Sequence, residues 1–128
     1  MTNLSYPDLK QIWISSEKNN SVIGLTGMLC FGNGFFLQVL EGDRDAVNQT
    51  YHRIVKDERH YHPEIIEFCR IDRRNFGIWS MKSVQLNRNL TEPESQVLLR
   101  YHILPVFEPE KMDAGQCLGL MLDLAAIM

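Results

Sequence analysis

Amides are the polar groups that this sequence sets where they could do chemistry. Gln38 lies inside the run Phe35-Phe36-Leu37-Gln38-Val39-Leu40-Glu41, which reads as a strand with a period of two. It shares a face with Phe36 and Leu40, while Phe35, Leu37 and Val39 form the other face. Both faces are apolar, so the Gln38 amide is expected to be wholly or partly buried. Buried, it must satisfy two donors and an acceptor. Neighbouring backbone or water can do this, and so can the polar edge of a bound heterocycle. Asn19-Asn20 present the same choice. They read as helix-stop signals, since Asn tolerates left-handed backbone, or as paired amides holding the donor and acceptor edge of a ring.

Other residues fit a bound ring and its tail. Arg59-His60 follows a helical stretch; it reads as a solvated loop or as an Arg placed to meet a phosphate or pyrophosphate. Trp79 and Met81 point to one face of the last expected strand, as plain core or as large polarizable cover for an aromatic cofactor. No Gly-rich phosphate loop, paired-carboxylate motif, or Ser or Cys nucleophile beside a base occurs, so catalysis finds no support. His60-Tyr61-His62 and the distant Cys69 match no common zinc spacing, and no metal site is expected.

The elements that must position these residues fit one domain. The chain has 128 residues, 45% hydrophobic and 23% charged, with a net charge of −3. This is a globular composition, and the charge argues against a nucleic-acid partner. No apolar run reaches the roughly 18 residues of a spanning helix. With no secretory signal and Cys30, Cys69 and Cys117 far apart, the reading is a cytoplasmic protein with reduced, mostly buried thiols.

Leu9, Ile12, Trp13 and Ser16 fall on one helix face, with Ser5 able to cap it and Asn19-Asn20 and Gly24 expected to stop it. Alternation over residues 25–31 and 35–41 about Gly32-Asn33-Gly34 predicts a β-hairpin. Asp43 is an expected N-cap for a helix through Val47, Tyr51, Ile54 and Val55. Strands are expected over 65–71 and 79–86, then a helix opened by Thr91 and another over 112–127. The order α-β-β-α-β-β predicts an α+β, ferredoxin-like unit (βαββαββ lacking the opening strand) with two C-terminal helices. The division expected is 1–86 for the sensory unit and 87–128 for the helical extension.

Several blocks together resemble the BLUF family of blue-light sensors. They are Asn19-Asn20, Gly24-Leu25-Thr26-Gly27-Met28-Leu29, Phe36-Leu37-Gln38-Val39-Leu40-Glu41-Gly42, Tyr51-His52-Arg53-Ile54, Asp57-Glu58-Arg59-His60 and Trp79-Ser80-Met81. The resemblance spans residues 5 to about 86, and the C-terminal helices look like those of the short, single-domain members. It implies non-covalently bound FAD. Gln38 matches the switching glutamine, Asn19 and Asn20 the amides at the pyrimidine edge, and Ile12 and Ile54 the apolar lining. Phe36 joins them on the Gln38 face, and Arg59 and His60 match positions at the ribityl-phosphate exit. Trp79 and Met81 match the residues that relay the switch. The implied signal is a hydrogen-bond rearrangement around Gln38, passed to a response-regulator-like partner by a homo-oligomer, with no enzymatic reaction.

The resemblance departs at one point. The family's first strand, which carries the photochemical tyrosine, would lie just upstream of Leu4, and neither Tyr6 nor Tyr51 aligns with that tyrosine. A normal tyrosine-driven photocycle is therefore not expected of the 128 residues alone. Three explanations are open: a piece of a complete photoreceptor, a truncated product that folds poorly, or a flavin-free oligomeric interaction module on the same scaffold. A small acylphosphatase-like hydrolase fits less well, because its loop arginine has no counterpart.

Overall fold

A β-hairpin forms the centre of the molecule, whose computed structural model describes residues 15, 18–57, 63–77, 79–86, 90–101 and 107–128. Strands β1 (Thr26–Gly32) and β2 (Phe35–Glu41) pair antiparallel, with Leu29 opposite Gln38 and Phe31 opposite Phe36. Asn33 and Gly34 join them with φ of 50° and 77°. A two-residue type I′ turn needs positive φ at both positions, and Asn-Gly adopts it at the least cost. The hairpin expected from sequence forms as read.

The chain leaves β2 through helix α1 (Arg44–Lys56) and returns to the far side of β1, where β3 (Lys82–Gln85) pairs parallel to it. The sheet order is β2-β1-β3, so β1 is paired on both edges and all of its residues are buried. Asp43 occupies the N-cap of α1, but its side chain makes no capping bond. Asp45 in the first turn, with Arg53 and Lys56 in the last, complements the helix dipole instead.

One face of the sheet carries the core. Met28, Cys30, Leu37 and Val84 pack with Val97 and Leu98 of α2 (Glu92–Arg100), and with Cys117, Leu120, Met121 and Leu124 of α3 (Ala114–Ala126). Leu118, Leu122 and Ala125 of α3 also pack against this group. Both helices start on capping boxes, Thr91 with Glu94 and Asp113 with Gln116, each satisfying two otherwise orphaned N–H groups. Asp113 therefore sets the start of α3 at Ala114, two residues after the 112 expected from periodicity. Beyond α2, the Tyr101 hydroxyl donates to Asp123 Oδ2 of α3 at 2.7 Å, and Arg100 Nη1 pairs with the same oxygen at 3.3 Å. The C-terminal helices thus share one core with the sheet in an α+β arrangement.

Three local expectations change. Residues 18–23 are helical, so Asn19-Asn20 does not stop the helix. The stop is Gly24 at φ 74°, and the Leu25 N–H closes the end by donating to the Asn20 carbonyl at 2.8 Å. This is the six-to-one bond of a Schellman end, which needs left-handed backbone that Gly adopts freely. Second, residues 63–71 form no strand. A strand exists by pairing its backbone, and this segment pairs with none of the described strands; Ile65, Ile66, Phe68 and Ile71 stay exposed. Third, Cys69 is exposed, whereas Cys30 and Cys117 are buried.

Candidate functional site

The face of the sheet opposite the core is where the amides gather. Strand alternation puts Leu29 and Phe31 of β1 beside Gln38 and Phe36 of β2, and the Phe31 and Phe36 rings meet at 5.1 Å between centroids. Leu29 and Phe31 are buried, while Phe36, Gln38 and Leu40 are half-buried. The result is a flat, aromatic and aliphatic floor with one amide standing on it.

The segment 79–81 borders this floor, and three bonds hold it. The Gly27 N–H donates to the Trp79 carbonyl at 3.0 Å, continuing the β1–β3 pairing past the end of β3. Asn20 Nδ2 donates to the Ser80 carbonyl at 2.9 Å. Gln38 Nε2 reaches Met81 Sδ at 3.8 Å. Two amides far apart in sequence therefore grip one short segment from two elements. The Asn20 bond is strong and its residue is 1% exposed. The Gln38 bond is weak, because a thioether is a poor acceptor.

Two polar side chains, one on this face and one on α1, are left with unmet capacity. Among the described residues, the Gln38 side chain has only its contact to Met81, which leaves its carbonyl oxygen for another donor. Thr50, on α1, is 6% exposed and its hydroxyl has no hydrogen-bond partner. An unmet buried hydroxyl is costly and calls for an explanation.

Comparison with known proteins gives this arrangement its meaning. The BLUF family model, described as sensors of blue-light using FAD, matches residues 1–82. The chain belongs to the BLUF family. Photoactivated adenylate cyclase subunit beta of Euglena longa is 31% identical over 97 residues, which is 75% of this chain and 11% of that protein. The chain thus spans about a tenth of the curated relatives it matches, at 11% for the Euglena gracilis subunit beta as well. Among solved structures, the photo-activated state of BlsA superposes with a TM-score of 0.79 at 29% identity, over 92% of this chain and 81% of that one. The dark state of BlrB, a BLUF protein, superposes with a TM-score of 0.76 at 28% identity, over 99% and 90%. The fold is the α+β, ferredoxin-like fold of BLUF proteins, and the chain is a blue-light-sensing flavin domain of that family.

The residues present fit the flavin that the BLUF family uses. A flavin needs a flat apolar slot and a few placed polar groups. The floor of Leu29, Phe31, Phe36 and Leu40 is such a surface, and the spare Gln38 oxygen is such a group. Of the expected site residues, Asn20, Gln38, Trp79 and Met81 are brought together through segment 79–81. Asn19 is exposed on the same helix, and Ile54 is half-buried on α1, one turn after Thr50. Trp79 stacks on Phe76 at 6.5 Å between centroids and packs toward the core, whereas Met81 meets Gln38. Ile12, Arg59 and His60 lie outside the described residues.

Sequence reasoning gave no role to Glu41, Thr26, Thr50 or Arg74. Glu41 is 4% exposed and accepts from the Thr26 hydroxyl and from the backbone N–H groups of Asn75 and Phe76. Arg74 Nη1 donates to the Gly24 carbonyl at 2.7 Å. A carboxylate closing an apolar strand was the one visible signal, and its partners lie 34 and 35 residues along the chain, beyond any local pattern.

Proposed function

We propose that this chain binds FAD non-covalently against the Gln38 face of its sheet and signals blue light through the hydrogen bonds of that amide. FAD supplies the absorption of visible light. Gln38 offers an amide whose only described partner is the Met81 sulfur at 3.8 Å, and this single observation carries the reading. An amide held so weakly turns or shifts at little cost, and its movement is felt directly by segment 79–81. Asn20, gripping Ser80 from the other side, stays fixed and gives the movement a reference. The half-buried Ile54 and Phe36 close the slot, Asn19 flanks Asn20, and Ile12, Arg59 and His60 complete the site as the family resemblance places them. On this reading residues 1–86 form the sensory unit and 87–128 the extension, and the chain itself performs no chemistry on a substrate.

The signal passes to another protein. The names of the Euglena relatives couple light sensing to an adenylate cyclase, which supports an effector partner here, of a response-regulator-like kind. Exposed Ile65, Ile66, Phe68 and Ile71 support assembly into a homo-oligomer. Three unpaired cysteines suit a reducing, cytoplasmic setting.

Purification with added FAD tests the reading. The chain is expected to come out yellow, and denaturation is expected to release intact FAD. Gln38→Leu is expected to keep the flavin but move its visible absorption band, since the hydrogen bond to the ring is lost. A colourless chain that takes up no FAD overturns the proposal, and so does an unchanged band in Gln38→Leu. Blue illumination then probes the photocycle by itself. A reversible shift to longer wavelength would show that a donor other than a family-aligned tyrosine serves.

A further inference from the structure

Gln38 and Glu41 lie on the same strand, three residues apart, and each holds a different part of the chain that runs from 74 to 81. Gln38 touches its end, at Met81. Glu41 holds its beginning. One carboxylate oxygen, Oε2, accepts the Asn75 N–H at 2.7 Å; the other, Oε1, accepts the Phe76 N–H at 2.9 Å and the Thr26 hydroxyl at 3.1 Å. The carboxylate is buried, so these bonds are shielded from water. Thr26 stands opposite Glu41 in the hairpin register, which locks the anchor to both strands at once.

Further bonds hold the loop on either side of the Glu41 grip. Arg74 Nη1 donates to the Gly24 carbonyl, and it reaches the Thr26 hydroxyl at 3.4 Å. Phe76 is 1% exposed, and the Trp79 N–H donates to the Phe76 carbonyl at 3.0 Å. That bond ties Trp79 directly to the anchored Phe76, and Ser80 and Met81 follow Trp79 in the chain. The Met81 sulfur therefore belongs to a segment that is tied to the fixed point at 75–76.

We propose that Glu41 is a positioning residue: its buried carboxylate anchors the loop at Asn75 and Phe76 and so sets where Met81 stands against Gln38. The strand then carries a rigid grip and a soft one on the same segment. Charge-assisted bonds to two backbone N–H groups make the grip at Glu41 rigid, and the amide-to-sulfur contact at Gln38 is the one that yields. A signal that alters Gln38 moves Met81 because the other end of the segment cannot follow. The inference rests on the flavin-sensing reading for its role in signalling; the anchoring itself does not need flavin.

Methionine methyl NMR on the flavin-free chain tests the anchoring, with the Met81 signal assigned through Met81→Leu. In Glu41→Gln an NH2 group replaces one of the two acceptor oxygens and confronts a backbone N–H. Hydrogen exchange at the Asn75 and Phe76 amides is expected to speed up about tenfold. The Met81 methyl signal is expected to move while that of Met121, on the other face, stays. A merely structural carboxylate would loosen both or neither. Where Glu41→Gln fails to fold, Thr26→Val removes the hydroxyl that donates to Glu41, with its long 3.4 Å contact to Arg74, keeps both backbone bonds to the carboxylate, and is expected to give the same pattern at smaller amplitude. A Met81 signal that stays put in a folded variant of either kind overturns the proposal. With FAD bound, Glu41→Gln is expected to shift the visible band in the direction that Met81→Leu shifts it. Absence of bound FAD in the unmutated chain overturns the sensing reading and leaves the NMR result to decide the anchor. A band that stays put in flavin-loaded Glu41→Gln, with Met81 displaced, overturns the signalling role.

Discussion

The two faces of one sheet are built to opposite standards. On the α2–α3 side, Leu120, Met121 and Leu124 are 0% exposed, and Cys30 Sγ reaches Met121 Sδ at 3.1 Å. Burial pushes the Cys30 thiol up from its ordinary ionisation range, and Cys117 moves the same way, which disfavours the thiolate at both. On the Gln38 side the polar capacity is only partly met, because the Gln38 side chain bonds only a sulfur among the described residues. The difference suits the proposed role of each side: one face supplies stability, and the other keeps an amide with spare capacity where FAD is proposed to bind.

The largest break of this comparison comes from the finished face. Leu120→Ala is expected to cost about 2–5 kcal/mol of unfolding free energy, the usual range for deleting buried methyl groups where the surroundings cannot collapse. Urea unfolding of the flavin-free chain checks it. A cost below about 1 kcal/mol would mean that α3 is not integral to the core.

That division was only partly legible in the sequence. The hairpin was, because Asn33-Gly34 and two alternating runs encode their pairing within sixteen residues (26–41). The capped start of α2 at Thr91 was too, since a capping box is complete within four residues. Gln38 stood out as an amide between apolar neighbours, which any reader of periodicity sees. What stayed hidden depends on distant partners. Residues 65–71 have the composition of a strand, yet strand formation is decided by whether a neighbouring edge pairs with them, and none of the described strands does. Asn20 looked like a stop signal because its partner, the Ser80 carbonyl, is sixty residues away. Separation in sequence also concealed Glu41, whose acceptors are committed to a loop 34 and 35 residues further on, beyond α1.

The unpartnered hydroxyl on α1 can be probed with a substitution that should help rather than harm. Val has nearly the shape of Thr without the hydroxyl. Thr50→Val is therefore expected to stabilise the flavin-free chain by about 1 kcal/mol, because it removes a buried polar group that lacks a partner. Thermal and urea unfolding in the absence of FAD measure this. A loss of stability instead would show that the hydroxyl is already satisfied. The same variant measured with FAD present tells whether that hydroxyl faces the flavin, in which case any stabilisation should shrink or reverse.

The smallest effect is expected at the rim of the finished face, where Tyr101 clamps α2 to α3. Tyr101→Phe deletes the 2.7 Å bond to Asp123 but keeps the ring. Asp123 and Arg100 are part-exposed, so water competes for the site and the cost is expected to be only about 0.5 kcal/mol at neutral pH. Its pH dependence carries more information than its size. The hydrogen bond to Asp123 comes first in holding the Tyr101 hydroxyl protonated above its ordinary value of 10.0, followed by partial burial and the Asp123 charge; the Arg100 charge opposes them. Because the folded value lies above the unfolded one, the contribution is complete below about pH 10 and disappears as pH rises through the folded value. The stability gap between the unmutated chain and Tyr101→Phe should accordingly be flat from neutral pH to about 10 and close above it. Unfolding titrations at several alkaline pH values measure the gap, and a gap that closes below pH 9 would place the bond elsewhere than on the protonated Tyr101 hydroxyl.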